Sequence, residues 1–383
     1  MAEVFDSGDV KLIPFYLPQF HTIPENDKWW GKGFTEWTNV RKAKPLYPGH
    51  DQPRAPLNGD YYDLTDDNVK IRQAELAKRY GIFGFCYYHY WFKDGKKLLE
   101  KPAEQMLANK AVDLPFCFSW ANENWSRNWD GGNREIIARQ DYGGKADWEA
   151  HFRYLIPFFR DERYITVRGK PLFIIYKPEE IVDVYQMCAY WRKRAVEEGF
   201  PGLCLAFQFP TYYADIFYRD DVFDYRIAFE PVYSRNLERW KQPGSSKKVQ
   251  LLRRLLGENA VSAYRKHRGQ SAPPGAKSKS LSLYFYEETW DNILNAAWTP
   301  ELLPGALVDW DNTPRNKHGV AYVGFSVEAF ENGMRRLIER ARAENKPMLF
   351  INAWNEWGEG AFLEPDEKYG FAKLEAIEHA LKG

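Results

Sequence analysis

Close to the C-terminus the apolar run Pro347-Met348-Leu349-Phe350-Ile351 gives way to Asn352-Ala353-Trp354-Asn355-Glu356-Trp357-Gly358-Glu359-Gly360-Ala361-Phe362-Leu363-Glu364-Pro365. The second stretch carries three carboxylates and two indoles. Glu356 and Glu359 stand three residues apart, set off by Gly358 and Gly360. Two carboxylates at close quarters among aromatic side chains suit the chemistry of glycosidic bonds, because one can be held protonated as an acid while the other stays ionised. A loop of solvated acids is the plainer reading. It leaves Trp354 and Trp357 unexplained, since indoles are seldom left in water beside charges.

Such a loop needs a strand to deliver it. A strand that ends in an acid-rich loop is the way a (β/α) barrel builds its mouth. The same pattern recurs along the chain. Apolar runs at 10–16, 81–88, 115–120, 171–176, 203–209, 225–230, 305–311 and 347–353 read as strands. Periodic segments near 65–80, 98–109, 148–159, 181–198, 325–344 and 369–381 read as helices between them. Eight alternations predict an α/β fold, a closed (β/α)8 TIM-type barrel with long loops over its C-terminal face, rather than an open doubly wound sheet. The interval 17–63 is expected to be one long aromatic loop packed over that face.

On this fold the polar residues collect where strands stop: Tyr16 and His21, His89, Asn122 and Glu123, Glu230, Asp309 and Asp311, Glu356 and Glu359. In a parallel barrel these ends open on one cavity. Capping of a following helix is the alternative for some of them, Asp309 and Asp311 included. Trp37, Tyr88, Tyr90, Trp91, Trp120, Trp125 and Trp357 are the candidates to stack on sugar rings, and Asn355 is a polar partner in the same loop. Arg315 is a candidate cation to keep the basic member of the glutamate pair ionised. His89 reads either as a donor to a sugar hydroxyl or as a satisfied core histidine.

Other chemistries find little in the chain. It has no GxSxG elbow, no GxGxxG, no phosphate loop and no HExxH. Its seven histidines are scattered, so no zinc site and no cofactor are expected. Asp309-Trp310-Asp311 is a weak Asp-x-Asp signal for a donor-bound cation, with Glu230 as a third ligand on that reading. Lys+Arg and Asp+Glu are each 53 in 383 residues, which argues against a nucleic-acid or anionic-membrane surface over the whole protein. Aromatic residues make up 17%, and several tryptophans sit in polar loops rather than in apolar runs. Cys86, Cys117, Cys188 and Cys204 lie in apolar or amphipathic runs and read as reduced core residues. The first ten residues hold three acids and no apolar stretch, and no run approaches the ~20 apolar residues of a membrane span. A cytoplasmic catalytic domain spanning 1–383 is therefore expected, with a basic insertion around 240–300. A helix over 248–268 and a Gly/Ser/Pro-rich loop belong to that insertion. The oligomeric state is not legible.

Several ordered motifs resemble a known family. They are Gly33-Phe34-Thr35-Glu36-Trp37-Thr38-Asn39-Val40, Gly49-His50-Asp51-Gln52-Pro53 with Tyr61-Tyr62-Asp63-Leu64, Tyr87-Tyr88-His89-Tyr90-Trp91-Phe92, Trp120-Ala121-Asn122-Glu123-Asn124-Trp125, Trp310-Asp311-Asn312-Thr313-Pro314-Arg315 and Asn355-Glu356-Trp357-Gly358-Glu359-Gly360. Together they look like the WbsX group, described as glycosyltransferases from bacterial O-antigen and capsule clusters and related to the endo-α-mannosidases of glycoside hydrolase family 99. The resemblance implies a (β/α)8 barrel with its site at the C-terminal face. The mannosidase relatives carry Glu-Trp-His-Glu after the last strand, where this chain has Glu356-Trp357-Gly358-Glu359. Both acids are kept and the histidine is lost. By the same resemblance Glu356 would be the base that deprotonates a sugar 2-hydroxyl, giving a 1,2-anhydro sugar. Glu359 would be the acid that protonates the leaving oxygen, with net retention.

Three readings follow. The first is a retaining glycoside hydrolase or transglycosylase acting on a bacterial oligosaccharide or polysaccharide. The second is a glycosyltransferase of O-antigen or capsule synthesis using an activated donor. The third is a carbohydrate-binding protein without activity, which would have no use for the acid pair.

Overall fold

The computed structural model describes residues 2–5, 9–126, 136–209, 222–241 and 281–383. The runs read as strands assemble into one parallel sheet: β1 (Lys11–Tyr16), β2 (Phe85–Trp91), β3 (Phe116–Trp120), β4 (Lys170–Ile175), β5 (Cys204–Gln208), β6 (Tyr225–Ile227), β7 (Leu302–Leu303 and Gly305–Leu307) and β8 (Met348–Asn352). Each pairs in parallel with its sequence neighbours, and β8 pairs with β1. The hydrogen-bonded path runs through nine segments, and its two ends are the two halves of β7. Only Pro304 separates them. Proline has no N–H to give a ladder, but its carbonyl accepts from Phe350 N at 3.0 Å, so the seam holds and the barrel closes.

The barrel interior is filled by side chains of alternate strand residues. Phe15 sits at its centre, with Tyr88, Phe229 and Phe350 at 5.6, 5.5 and 5.5 Å between ring centroids. The opposite parity faces the surrounding helices. In chain order the described helices are α1 (Pro24–Trp30), α2 (Glu36–Lys42), α3 (Asp67–Arg79), α4 (Lys101–Ala108), α5 (Lys145–Phe159), α6 (Val184–Glu197), α7 (Val232–Lys241), α8 (Tyr286–Asn295), α9 (Val327–Ala343) and α10 (Ala372–Lys382), of which α1 and α2 lie at the mouth. Local chemistry starts several of them: Asp66 caps α3 through Asn68 N at 2.9 Å, and Ser326 caps α9 through Ala329 N at 3.1 Å.

The structure departs from the expectations in four places. The stretch after β1 is not one irregular loop, since it contains α1, opened by Pro24, and α2, opened by Thr35, whose N–H donates to Thr38 Oγ1 at 3.2 Å. β2 begins at Phe85 rather than Gly81 and runs on through Trp91. Gly81, at φ +79°, ends the preceding helix, and a Cβ on Gly84 would stand 2.5 Å from Pro115 O, so these residues form the turn into the strand. The seventh strand starts earlier and ends at Leu307, before Asp309. Finally, Ser282–Phe285 pairs in parallel with Val320–Val323, and α8 follows it, where the sequence shows no clear pattern. The basic helix and loop expected within 242–280 lie outside the described residues.

Candidate active site

β8 hands the chain to a tight turn above the barrel. Asn355–Glu356 pairs antiparallel with Ala361–Phe362, and Gly360 closes the turn at φ +65°, a conformation that favours glycine. Two anchors fix this turn. Asn355 brackets Leu17 at the end of β1, accepting from its N–H at 2.7 Å and donating to its carbonyl at 3.0 Å. Glu364 accepts four bonds behind the turn: from Trp357 Nε1 (2.7 Å), Trp354 Nε1 (3.1 Å), Tyr62 OH (2.8 Å) and Gln73 Nε2 (2.6 Å). Burial pushes its carboxyl up to about 7 against those bonds. Both indoles are thereby spent on structure. Trp357 also stacks on Phe362 at 3.7 Å and lies beside Trp37, whose indole N–H donates to Tyr62 O.

The turn presents Glu356 and Glu359 to a single guanidinium. Arg315 Nη2 donates to Glu356 Oε2 at 2.8 Å and its Nη1 reaches Glu359 Oε1 at 2.6 Å. A third carboxylate completes the set: Glu36, the first residue of α2, accepts from Arg315 Nε at 2.8 Å and is fully buried. Three carboxylates on one cation, Glu36 and Glu356 buried and Glu359 half-buried, leave an excess of negative charge in a medium that penalises charge, so the group holds on to a proton. Burial pushes Glu356 up to about 8 and raises Glu359 too, while Arg315 pulls both down. Gly358 makes room for this arrangement. A Cβ there would stand 1.7 Å from Glu36 Oε1 and 2.8 Å from Arg315 Nε.

A pocket of about 370 Å³ opens over the two glutamates. Of the residues singled out from sequence, Tyr88, Tyr90, Glu123, Trp125, Arg315, Glu356 and Glu359 line it, together with Gln19, Trp30, Tyr176 and Trp310, which were not singled out. The other candidates are engaged elsewhere. His89 and Trp91 have the outward parity of β2. His89 Nε2 lies 2.9 Å from His151 Nε2 on α5, and Trp91 stacks on His151 at 4.6 Å. Burial pushes His89 down to about 3, so this is a neutral pair in which one ring donates to the other. Trp120 also faces outward and donates to Trp91 O at 3.0 Å. Tyr16 donates to Gln73 on α3, and His21 Nδ1 lies 3.0 Å from Pro18 O. Asn122 exchanges bonds with the backbone of Lys177, and Glu230 accepts from Ser234 N and Oγ.

The Asp-x-Asp acids are divided between separate partners. Asp309 meets Arg54 Nη2 at 2.8 Å. Asp311 lies 2.7 Å from His50 Nε2 and accepts from Gln52 Nε2 at 2.7 Å and Thr313 N at 3.0 Å. Among the described residues no group of three His, Cys, Asp or Glu side chains is placed to hold a metal ion, and no helix is long and apolar enough to cross a membrane. Glu36 escaped the sequence reading although it stands in one of the quoted motifs. Its only local signal is an acid among aromatics at the start of a short helix.

Comparison with known proteins agrees with this geometry at the level of fold and family. The family model "Glycosyltransferase WbsX" matches residues 12–377. The uncharacterized protein WxcX of Xanthomonas campestris pv. campestris, in strains ATCC 33913 and B100, is 36% identical over 375 residues, 97% of this chain. The match takes in 49% of those relatives, so the chain spans about half their length. Among solved structures, a GH99 endo-alpha-mannosidase from Bacteroides thetaiotaomicron is similar at a TM-score of 0.52 and 12% identity, with 98% of this chain and 97% of that one covered. A "Glycoside hydrolase-like protein" is similar at 0.53 and 13%, with 97% and 94% covered. These two share the fold. The match of the family model over nearly the whole chain decides the rest: the chain belongs to the Glycosyltransferase WbsX family.

Proposed function

We propose that the chain is a carbohydrate-active enzyme that breaks a glycosidic bond with retention, using Glu356 and Glu359 as its acid–base pair. The observation that carries this reading is the pair itself. Glu356, which is buried, and the half-buried Glu359 share one guanidinium at the floor of an aromatic pocket, and burial pushes Glu356 up to about 8 and raises Glu359 as well. A pair that keeps one proton near neutrality can supply an acid and a base in one step. In the sequence of events implied by the family resemblance, the base takes the proton of the sugar 2-hydroxyl and that oxygen attacks the anomeric carbon. The acid protonates the departing oxygen. The 1,2-anhydro ring is then opened at the anomeric carbon by water or by an acceptor hydroxyl, whose proton restores the acid while the base gives its proton back to the 2-oxygen. Tyr88, Tyr90 and Trp125 offer faces and hydroxyls for the ring that is cleaved.

The resemblance gives the base to Glu356 and the acid to Glu359. Leaving-group chemistry separates the two roles. An acid variant, Glu→Gln, keeps turnover on glycosides whose leaving group needs no protonation, while a base variant loses both kinds of substrate.

Transfer from an activated donor is the second reading, supported by the description of the family. The bonds made by Asp309 and Asp311 speak against a donor cation between them. The test is to incubate the protein and its Glu356→Gln and Glu359→Gln variants with bacterial O-antigen and capsule oligosaccharides, with and without nucleotide sugars, and to read product masses. Glycans shortened without a donor, and unchanged by either variant, are expected. Lengthening that needs a nucleotide sugar would instead establish the transferase.

A further inference from the structure

Arg315 follows β7, Glu36 opens α2, and Glu356 and Glu359 sit in the turn after β8. A guanidinium left with two carboxylates favours a bidentate fork to one of them, through a planar pair of nitrogens. That is not what happens here. Glu36 occupies Nε at 2.8 Å, and the two terminal nitrogens go to different glutamates. Glu36 is fully buried, and its second oxygen, Oε2, is buried with no hydrogen-bond partner among the described residues. A carboxylate held in that state costs stability. The absence of a side chain at Gly358 is what leaves space for it.

We infer that Glu36 is a positioning residue for the glycosidic chemistry: acting through Arg315, it keeps Glu356 and Glu359 on separate nitrogens and adds a negative charge beside the pair. The inference rests on the role proposed for that pair. The other titratable groups lining the pocket with the pair are Tyr88 and Tyr90 from β2, Tyr176 after β4, and Glu123 after β3, which is paired with Lys177. Burial raises all three phenols, so they stay neutral around pH 7 and leave Glu36 as the additional acid, among the described residues, that acts on the pair.

The test reads the proton directly. The protonated-carboxyl band of the pair is followed by infrared difference titration of the intact protein and identified by its loss in Glu356→Gln and Glu359→Gln. Glu36→Gln keeps an oxygen for Arg315 Nε but removes the charge. The band is expected to titrate roughly one pH unit lower, and the kcat/KM profile on a cleaved glycan to move to acid pH with it. Glu36→Asp, which keeps the charge, leaves the band near its wild-type position. Gly358→Ala, whose methyl displaces Glu36, moves it as Glu36→Gln does and serves if that variant does not fold. A band that stays put in folded Glu36→Gln or Gly358→Ala overturns the inference. If the band moves but Glu356→Gln and Glu359→Gln retain turnover, the proposed reaction falls while the effect of Glu36 on the pair stands.

Discussion

At Glu356 burial and charge pull in opposite directions, and burial wins: its carboxyl is pushed from 4.5 up to about 8 although Arg315 touches it. Glu230 and Glu364 are raised to about 7 by burial as well. Each therefore binds its proton more tightly folded than unfolded. Such a group contributes stability that is fully present below the unfolded value and is lost as pH rises through the folded one. The melting temperature should fall as pH is raised from about 4.5 to about 8. Glu356→Gln should flatten that fall, and an unchanged slope would remove Glu356 as a contributor. Glu364 carries a second expectation. Replacing it with alanine leaves two indole N–H groups, a phenol and an amide without their acceptor. At about 1–3 kcal/mol for each of these buried groups left unpaired, Glu364→Ala should cost at least about 4 kcal/mol in denaturant unfolding. Turnover would be lost with it, because the turn bearing Glu356 and Glu359 hangs on those indoles.

Strand parity separates lining residues from supporting ones, and here the sequence held more than was read from it. The apolar run ends the strand at Tyr88 and leaves His89-Tyr90-Trp91-Phe92 as an aromatic, polar end at the mouth. Once β2 is known to run through Trp91, alternation sends Tyr88 and Tyr90 inward and His89 and Trp91 toward α5. The same rule turns Tyr16 and Trp120 away from the pocket. The missing information was the end of the strand, which the apolar run alone did not reveal. Two substitutions one residue apart should therefore behave differently. Tyr90→Phe removes only a hydroxyl that faces the pocket. It should lower kcat/KM by up to about tenfold and leave the melting temperature unchanged. Trp91→Ala empties a buried site and should cost about 3–5 kcal/mol of stability. Equal loss of stability in both would contradict the opposed parity.

On the scale of the whole molecule, the barrel was legible because its signal is local and repeated: short apolar strands alternating with amphipathic helices. The union of Glu36, Arg315 and Glu356 was not, because it joins residues 279 and 41 positions apart through geometry that only the closed barrel supplies. Closure is thus a condition for the site, and it is most exposed to test at the seam. There Gly305 in β7 approaches Ala228 after β6 so closely that a Cβ would stand 1.7 Å from the carbonyl oxygen and 2.9 Å from its carbon. These are backbone atoms and cannot swing aside as a side chain would. Gly305→Ala must force β6 and β7 apart, at or above the upper end of the 1–3 kcal/mol typical of overpacking. On its other side Gly305 is paired with Phe350 of β8, the strand that leads to Glu356 and Glu359, while β7 itself leads to Arg315. One methyl group outside the pocket should then shift the urea midpoint down and reduce turnover together, by moving the strands that carry the cation and its two glutamates. A Gly305→Ala protein with wild-type midpoint and turnover would show that the site does not depend on this seam.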